Sequence, residues 1–384
     1  MRSCFLIVTG LAFILSACSS AKKLSAGNNE LSVSGLKVIG EYILPDKIQF
    51  KNSEVGGLSS VDYDARNDIY YMICDDPSAH GPARFYTAKI ALSEKGIDSV
   101  QVLDMIPLLD TLGRSYPDIT KDKFHSLDAE SLRYNPLQDE LVFGSEGQRV
   151  QNNAGVVEVQ NPVIYVANRD GSFKDSFALP QNVYLRSNEN GPRHNSVFEG
   201  LAFTNDYRFM YVSVEEPLYE DGPRAATGDS TAWIRILKFD TKTKKQVAQY
   251  AYQIDAVPYA PNPPDAFKIN GVSDILSLGK EKFIVTERAY VTGRKSTYVR
   301  FYLADAKEAS NVSSVPSLIN YPPAKALTKK LLFNMESIDR HIDNIEGLTI
   351  GPKLPNGHYT LIAVVDNNFS DKQQSQFWLF EIIP

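Results

Sequence analysis

A chain of 384 residues with 43% hydrophobic and 22% charged residues is long enough to bury a large core. Its formal net charge of −6 excludes the basic footprint by which proteins take hold of nucleic acid. Two of its three cysteines fall in the first 18 residues. Only Cys74 remains beyond them, so no intrachain disulfide is available there and stability must rest on packing.

The first features in chain order are targeting signals. Arg2 precedes an apolar run from Cys4 to Leu15, followed by Ser16, Ala17 and Cys18. The run is too short for a permanent membrane span and has the layout of a secretory signal. Its end, Leu15-Ser16-Ala17-Cys18, resembles the bacterial lipobox, which makes residues 1–17 a signal peptide and Cys18 the lipid-attachment site. Residues 18–35 read as a tether. Ser19 after the cysteine resembles lipoproteins sorted to the outer membrane, so the expected location is the cell envelope, facing the periplasm.

Residues 36–384 read as one repetitive domain. A phrase recurs as Val55-Gly-Gly-Leu, Ala129-Glu-Ser-Leu, Phe198-Glu-Gly-Leu, Ile269-Asn-Gly-Val and Ile345-Glu-Gly-Leu, with its second residue at Gly56, Glu130, Glu199, Asn270 and Glu346. Each phrase is followed by a turn and a strand ending in acid: Asp75, Glu146, Glu215, Glu287 and Asp366. A third and a fourth strand follow in most repeats. Four strands per repeat, rich in Val, Ile, Tyr and Phe, is the arithmetic of a β-propeller blade. The last repeat has room for three strands, and Leu36 to Leu44 supplies the missing one, removing an exposed edge. The expected fold is therefore all-β, a five-bladed propeller of four-stranded antiparallel blades closed by an N-terminal strand. A six-bladed ring would need another blade within 109–123 or 311–326, where strand periodicity is lacking.

Circular closure brings equivalent repeat positions together at one mouth of the channel. Glu130, Glu199 and Glu346, with Gly56 and Asn270, form an inner ring, and the five strand-end acids form a second. Crowded like charges are costly unless neutralised. A hard cation such as Ca²⁺ would do so, as would arginines near the mouth loops, namely Arg84, Arg149, Arg193, Arg224, Arg288 and Arg300. His125, His194 and His341 each stand five residues before a repeated glutamate. They either orient those glutamates, approach an axial metal, or serve as general acid or base. No Gly-x-Ser-x-Gly elbow, Walker loop or Rossmann fingerprint is present.

At these same residues the sequence resembles the phytase-like family called "esterase-like activity of phytase". The resemblance lies in Phe198-Glu-Gly-Leu-Ala-Phe, Val212-Ser-Val-Glu-Glu-Pro-Leu, Arg235-Ile-Leu-Lys-Phe-Asp, Asn344-Ile-Glu-Gly-Leu and Val365-Asp-Asn-Asn, and runs from about Gly56 to the end. It implies hydrolysis of phosphoesters or esters with Ca²⁺ at the mouth. The metal set would be Glu130, Glu199, Asn270, Glu346, Glu215, Glu287 and Asp366, with Glu130, Glu199, Glu346, Arg288 and the three histidines as catalytic groups. The mouth segments lack the lysine-rich phosphate cradle of a true phytase, which points away from phytate. The expected partner is a small anionic or ester substrate met by a monomer, with lipid as the membrane contact and no nucleic acid. A non-catalytic binding propeller is the alternative, and sugar hydrolysis would need two carboxylates at an acid/nucleophile spacing.

Overall fold

The computed structural model describes residues 30–45, 47–151, 155–228 and 231–384. The segment expected to be a signal peptide, 1–17, with Cys18 and most of the expected tether at 18–35, lies outside the described residues. Five four-stranded antiparallel sheets follow one another along the chain. Blade 1 is built of Leu58–Asp64, Ile69–Cys74, Arg84–Ser93 and Gly96–Pro107, and blade 2 of Ala129–Asn135, Glu140–Ser145, Val163–Asn168 and Phe173–Ser176. Blade 3 uses Phe198–Phe203, Phe209–Val214, Trp233–Asp240 and Lys245–Gln253; blade 4 uses Lys268–Gly279, Lys282–Val291, Tyr298–Asp305 and Thr328–Asn334. Blade 5 takes Asn344–Lys353, Tyr359–Asp366 and Gln376–Ile383, then borrows Gly35–Ile43 as its outer strand, paired from Gly35↔Ile383 to Ile43↔Gln376. A sixth blade is ruled out: the stretches 109–123 and 311–326 form turns without a named strand.

The ring is held by apolar seams, and the two-residue period of a strand explains how. On the second strand of blade 1, Tyr70 and Met72 point into the seam with blade 5, while Tyr71 and Ile73 point into the seam with blade 2. Similar clusters fill the seams between blades 2 and 3, 3 and 4, and 4 and 5. Such strands are buried on both faces and therefore read as continuous apolar runs, such as Leu361 to Val365, all fully buried. Each large side chain so buried contributes about 1.5–3 kcal/mol, which replaces the stabilisation that disulfides give smaller exported domains.

One irregularity recurs in every inner strand. The pairing skips a residue at Ser59, Glu130, Glu199, Ser273 and Glu346. A β-bulge of this kind re-aims a side chain that would otherwise lie in a seam. The inner ring thus consists of three glutamates and two serines, which corrects the expectation for two blades: Ser59 and Ser273, three residues later than Gly56 and Asn270, hold the equivalent positions. The second ring shifts by one residue in blade 4. The residue opposite the strand position before the bulge is Cys74, Ser145, Val214, Glu287 or Val365. The next residue is Asp75, Glu146, Glu215, Arg288 or Asp366, so Arg288 and not Glu287 completes that ring. The repeated phrase lies out of structural register in blade 4 because its inner hairpin overshoots the others, its pairing continuing from Gly271↔Arg288 to Lys268↔Val291.

At the axis all five blades converge on one ion pair. Arg133 of blade 2 reaches Asp274 of blade 4 at 2.8 Å and donates to Ser60 Oγ of blade 1 at 2.9 Å. Asp274 accepts the Leu348 N–H of blade 5 at 2.7 Å. Blade 3 meets it at Gly200, where a Cβ would stand 2.9 Å from the Asp274 carbonyl carbon; a larger residue there would force the inner strands apart.

Candidate active site at the acidic mouth

Above the axial ion pair the channel opens into a cavity of about 650 Å³, lined by Asp75, Glu130, Glu199, Glu215, Glu346 and Arg288 among others. Glu130, Glu199 and Glu346 come from different blades, more than 65 residues apart in sequence, and each is less than 10% exposed. Carboxylate oxygens of Glu130, Glu146 and Glu199 all lie within 4.8 Å of one another, and so do those of Asp75, Asp128 and Glu130. Glu346, Asp366 and Glu215 continue the cluster around the ring.

One guanidinium sits among these acids. Arg288 donates to Glu215 at 3.1 Å, stands 3.5 Å from Glu346 and donates to Asn344. Gly271, directly across the strand pair from Arg288, makes that contact possible, since a Cβ there would come within 2.7 Å of the Glu215 side chain. Arg288 acts most strongly on the two acids beside it, Glu215 and Glu346, and less on Glu199 and Asp366. Burial pushes Glu215 up, Arg288 pulls it back, and it settles at about 7. In Glu130, Glu146 and Glu199 burial is reinforced by neighbouring carboxylates, and all three are raised well above the usual range. Asp75 and Asp366 behave in the same way.

Among the described residues, three carboxylate oxygens, Glu146 Oε2, Glu216 Oε1 and Glu346 Oε2, are buried without a hydrogen-bond partner. A buried unsatisfied acceptor costs about 1–3 kcal/mol, more when charged. An all-oxygen donor set with orphaned lone pairs fits a hard divalent cation such as Ca²⁺ or Mg²⁺ and does not suit a soft metal.

Other expected residues lie elsewhere. Glu287 faces away from the cavity because it alternates with Arg288 along the strand. It accepts from Tyr252 at 2.8 Å, Lys329 at 2.6 Å and Asn270 at 3.0 Å, so Glu287 and Asn270 belong to an internal network of blade 4 and not to the mouth. The three histidines part company as well. His194 lines the cavity, where lost solvation lowers its pKa. His125 pairs with Asp122 at 2.8 Å in an outer cleft, and His341 contacts Ser296 and Asp343. The shared five-residue offset fails because it reaches back into interblade loops of different path. Of the arginines, Arg224 lines the cavity beside Glu216, whereas Arg84 is locked to Asp76 at 2.7 Å and Arg300 faces Glu336. Arg149 and Arg193 both lie against Tyr219. Asp128 was not legible as a member of the cluster, since the corresponding positions, two residues before the bulge, are Gly57, Val197, Gly271 and Asn344.

The fold and its mouth define a class: a five-bladed β-propeller whose channel ends in a buried carboxylate cluster. Within that class the chain belongs to the phytase-like family, "esterase-like activity of phytase", whose model matches residues 53–369. An uncharacterized secreted protein of Arthroderma benhamiae is 26% identical over 166 residues, 41% of this chain and 31% of that protein, so the match spans about a third of the relative's length. Among solved structures, an endo-arabinase from Bacteroides thetaiotaomicron shares 11% identity over 87% of this chain and 96% of its own, with a TM-score of 0.43. A GH43 β-1,3-galactosidase shares 10% over 89% and 94%, with a TM-score of 0.44.

Proposed function

We propose that the protein is a calcium-dependent hydrolase of phosphoesters or carboxylic esters, acting at the acidic mouth and held at the cell envelope by a lipid on Cys18. The observation that carries the proposal is the cluster of Glu130, Glu146 and Glu199, whose oxygens lie within 4.8 Å of one another and none of which forms an ion pair among the described residues, while Arg288 is engaged by Glu215 and Glu346. A binding module with no need of a cation would be expected to pair such acids off, because isolated buried charges are expensive.

Glu130, Glu146 and Glu199 would hold the cation, with Asp75 and Asp128 as a second group sharing Glu130. Calcium bound there supplies Lewis-acid polarisation of a phosphoryl or acyl oxygen. Arg288 fixes the positions of Glu215 and Glu346. Arg224 at the rim meets an incoming anion, and His194, kept neutral by its lowered pKa, accepts or returns a proton at the cavity edge.

The test uses purified protein lacking the signal peptide, with 4-nitrophenyl phosphate and 4-nitrophenyl acetate. Turnover should require calcium, disappear with chelator, return on adding calcium back, and fall about a hundredfold or more in Glu199→Gln. If neither compound is turned over in the presence of calcium, the hydrolase reading is lost and a ligand-binding propeller takes its place.

A further inference from the structure

The overshooting hairpin of blade 4 raises a wall on one side of the mouth, and alternate residues on its two strands, together with Phe267 just before the first, face the cavity. Phe267, Ile269, Arg288 and Tyr290 line it, while Asn270, Glu287 and Ala289 turn away. Nearest the solvent, Phe267 is 53% and Tyr290 42% exposed, and their rings lie 6.1 Å apart at a 35° tilt. Scattered exposed aromatics are ordinary; two side by side at the lip of the acidic cavity are not scattered.

Apart from Arg224, whose guanidinium carbon stands 6.0 Å from the Phe267 ring centroid, the outer rim carries neutral, hydrogen-bonding side chains. Asn195, Asn368, Thr297 and Gln373 line the same opening, and the side-chain amides of Asn195 and Asn368 make no hydrogen bond among the described residues. The lining contains no lysine. Apolar faces beside neutral donors and acceptors suit a ring that has a C–H face and a hydroxyl edge, since the electron-rich aromatic face attracts weakly positive C–H groups. A polyanion finds a single arginine at that rim, Arg224, and it is shared with Glu216 at 3.0 Å.

We infer that Phe267 and Tyr290 form a binding platform for an uncharged sugar ring, placing a glycosyl group of the ligand at the blade 4 side of the mouth. The platform shares the cavity with the proposed hydrolytic centre and does not depend on hydrolysis taking place there.

The experiment measures binding of methyl glucoside, galactoside, xyloside and arabinoside by saturation-transfer NMR and calorimetry, with cyclohexanol and inositol hexakisphosphate as controls. At least one glycoside should bind with and without chelator, and Phe267→Ala/Tyr290→Ala should weaken it about tenfold. The melting temperature of the double variant should stay unchanged, because both side chains are exposed. The inference is overturned if no glycoside binds, if the double variant binds as tightly as the parent, or if cyclohexanol binds equally well. It is likewise overturned if inositol hexakisphosphate outcompetes every glycoside. Platform-dependent glycoside binding without hydrolysis of the aryl esters would leave this inference standing and remove the hydrolase reading.

Discussion

Arg288 shows how one residue sets the electrostatics of a whole site. It occupies a ring position that in the other four blades carries an acid, so its charge arrives in the geometry that five-fold repetition provides. Replacing it by methionine leaves Glu215 and Glu346 buried without a counter-ion, and the expected cost is about 3 kcal/mol or more in denaturant unfolding at neutral pH. The same acids fix the sign of the pH dependence. Glu215 is raised from 4.5 to about 7, so over that interval the folded chain holds a proton that the unfolded chain has released. Stability therefore falls as pH rises through the window, and the other raised carboxylates act in the same direction. With chelator present, the melting temperature should drop between those two pH values, and calcium should restore it at the upper end. A melting temperature that climbs with pH in chelator would refute this account of the cluster.

Among elements, the N-terminal strand Gly35–Ile43 has the largest consequence for its size. It covers the outer edge of blade 5 and contributes Leu36 to the seam shared with blade 4. Removing residues through Ile43 exposes the backbone edge of Gln376–Ile383, a template for intermolecular pairing. The truncated protein should aggregate or unfold, as read by size-exclusion chromatography and circular dichroism. This closure was legible in the sequence, because a strand-like segment stood without a repeat of its own and the last repeat was one strand short. The inner hairpin of blade 4 was not legible. The phrase Ile269-Asn-Gly-Val matched the other repeats in letters, whereas the structural repeat runs through Val272-Ser273-Asp274, an apolar residue, the bulge and then a residue at the axis. That pattern also fits Leu58-Ser59-Ser60 and would have recovered both serines, but it becomes visible only once bulges are counted. The outward-turned Glu287 and the dispersed histidines follow from the same cause: residue identity repeats more faithfully than the path of loops and overhangs.

At the scale of the molecule, repetition fixes the ring and the axis fixes its closure. Arg133 and Asp274 are less than 5% exposed, and burial raises Asp274 to about 6 even against the pull of its arginine. Asp274→Asn should cost about 3 kcal/mol by leaving the guanidinium without its partner, measured as a lower unfolding midpoint in urea. An unchanged midpoint would mean that the pair is not what binds the blades at the axis.

That ion pair also divides the two ends of the tunnel. The acidic cavity on one side and the small pocket on the other, where Asp62, Tyr134 and Tyr207 lie, have no lining residue in common. For the ligand proposed at the acidic mouth, this separate lining makes the aromatic lip the expected way both in and out, so that departure of one molecule and arrival of the next would contend for the same threshold.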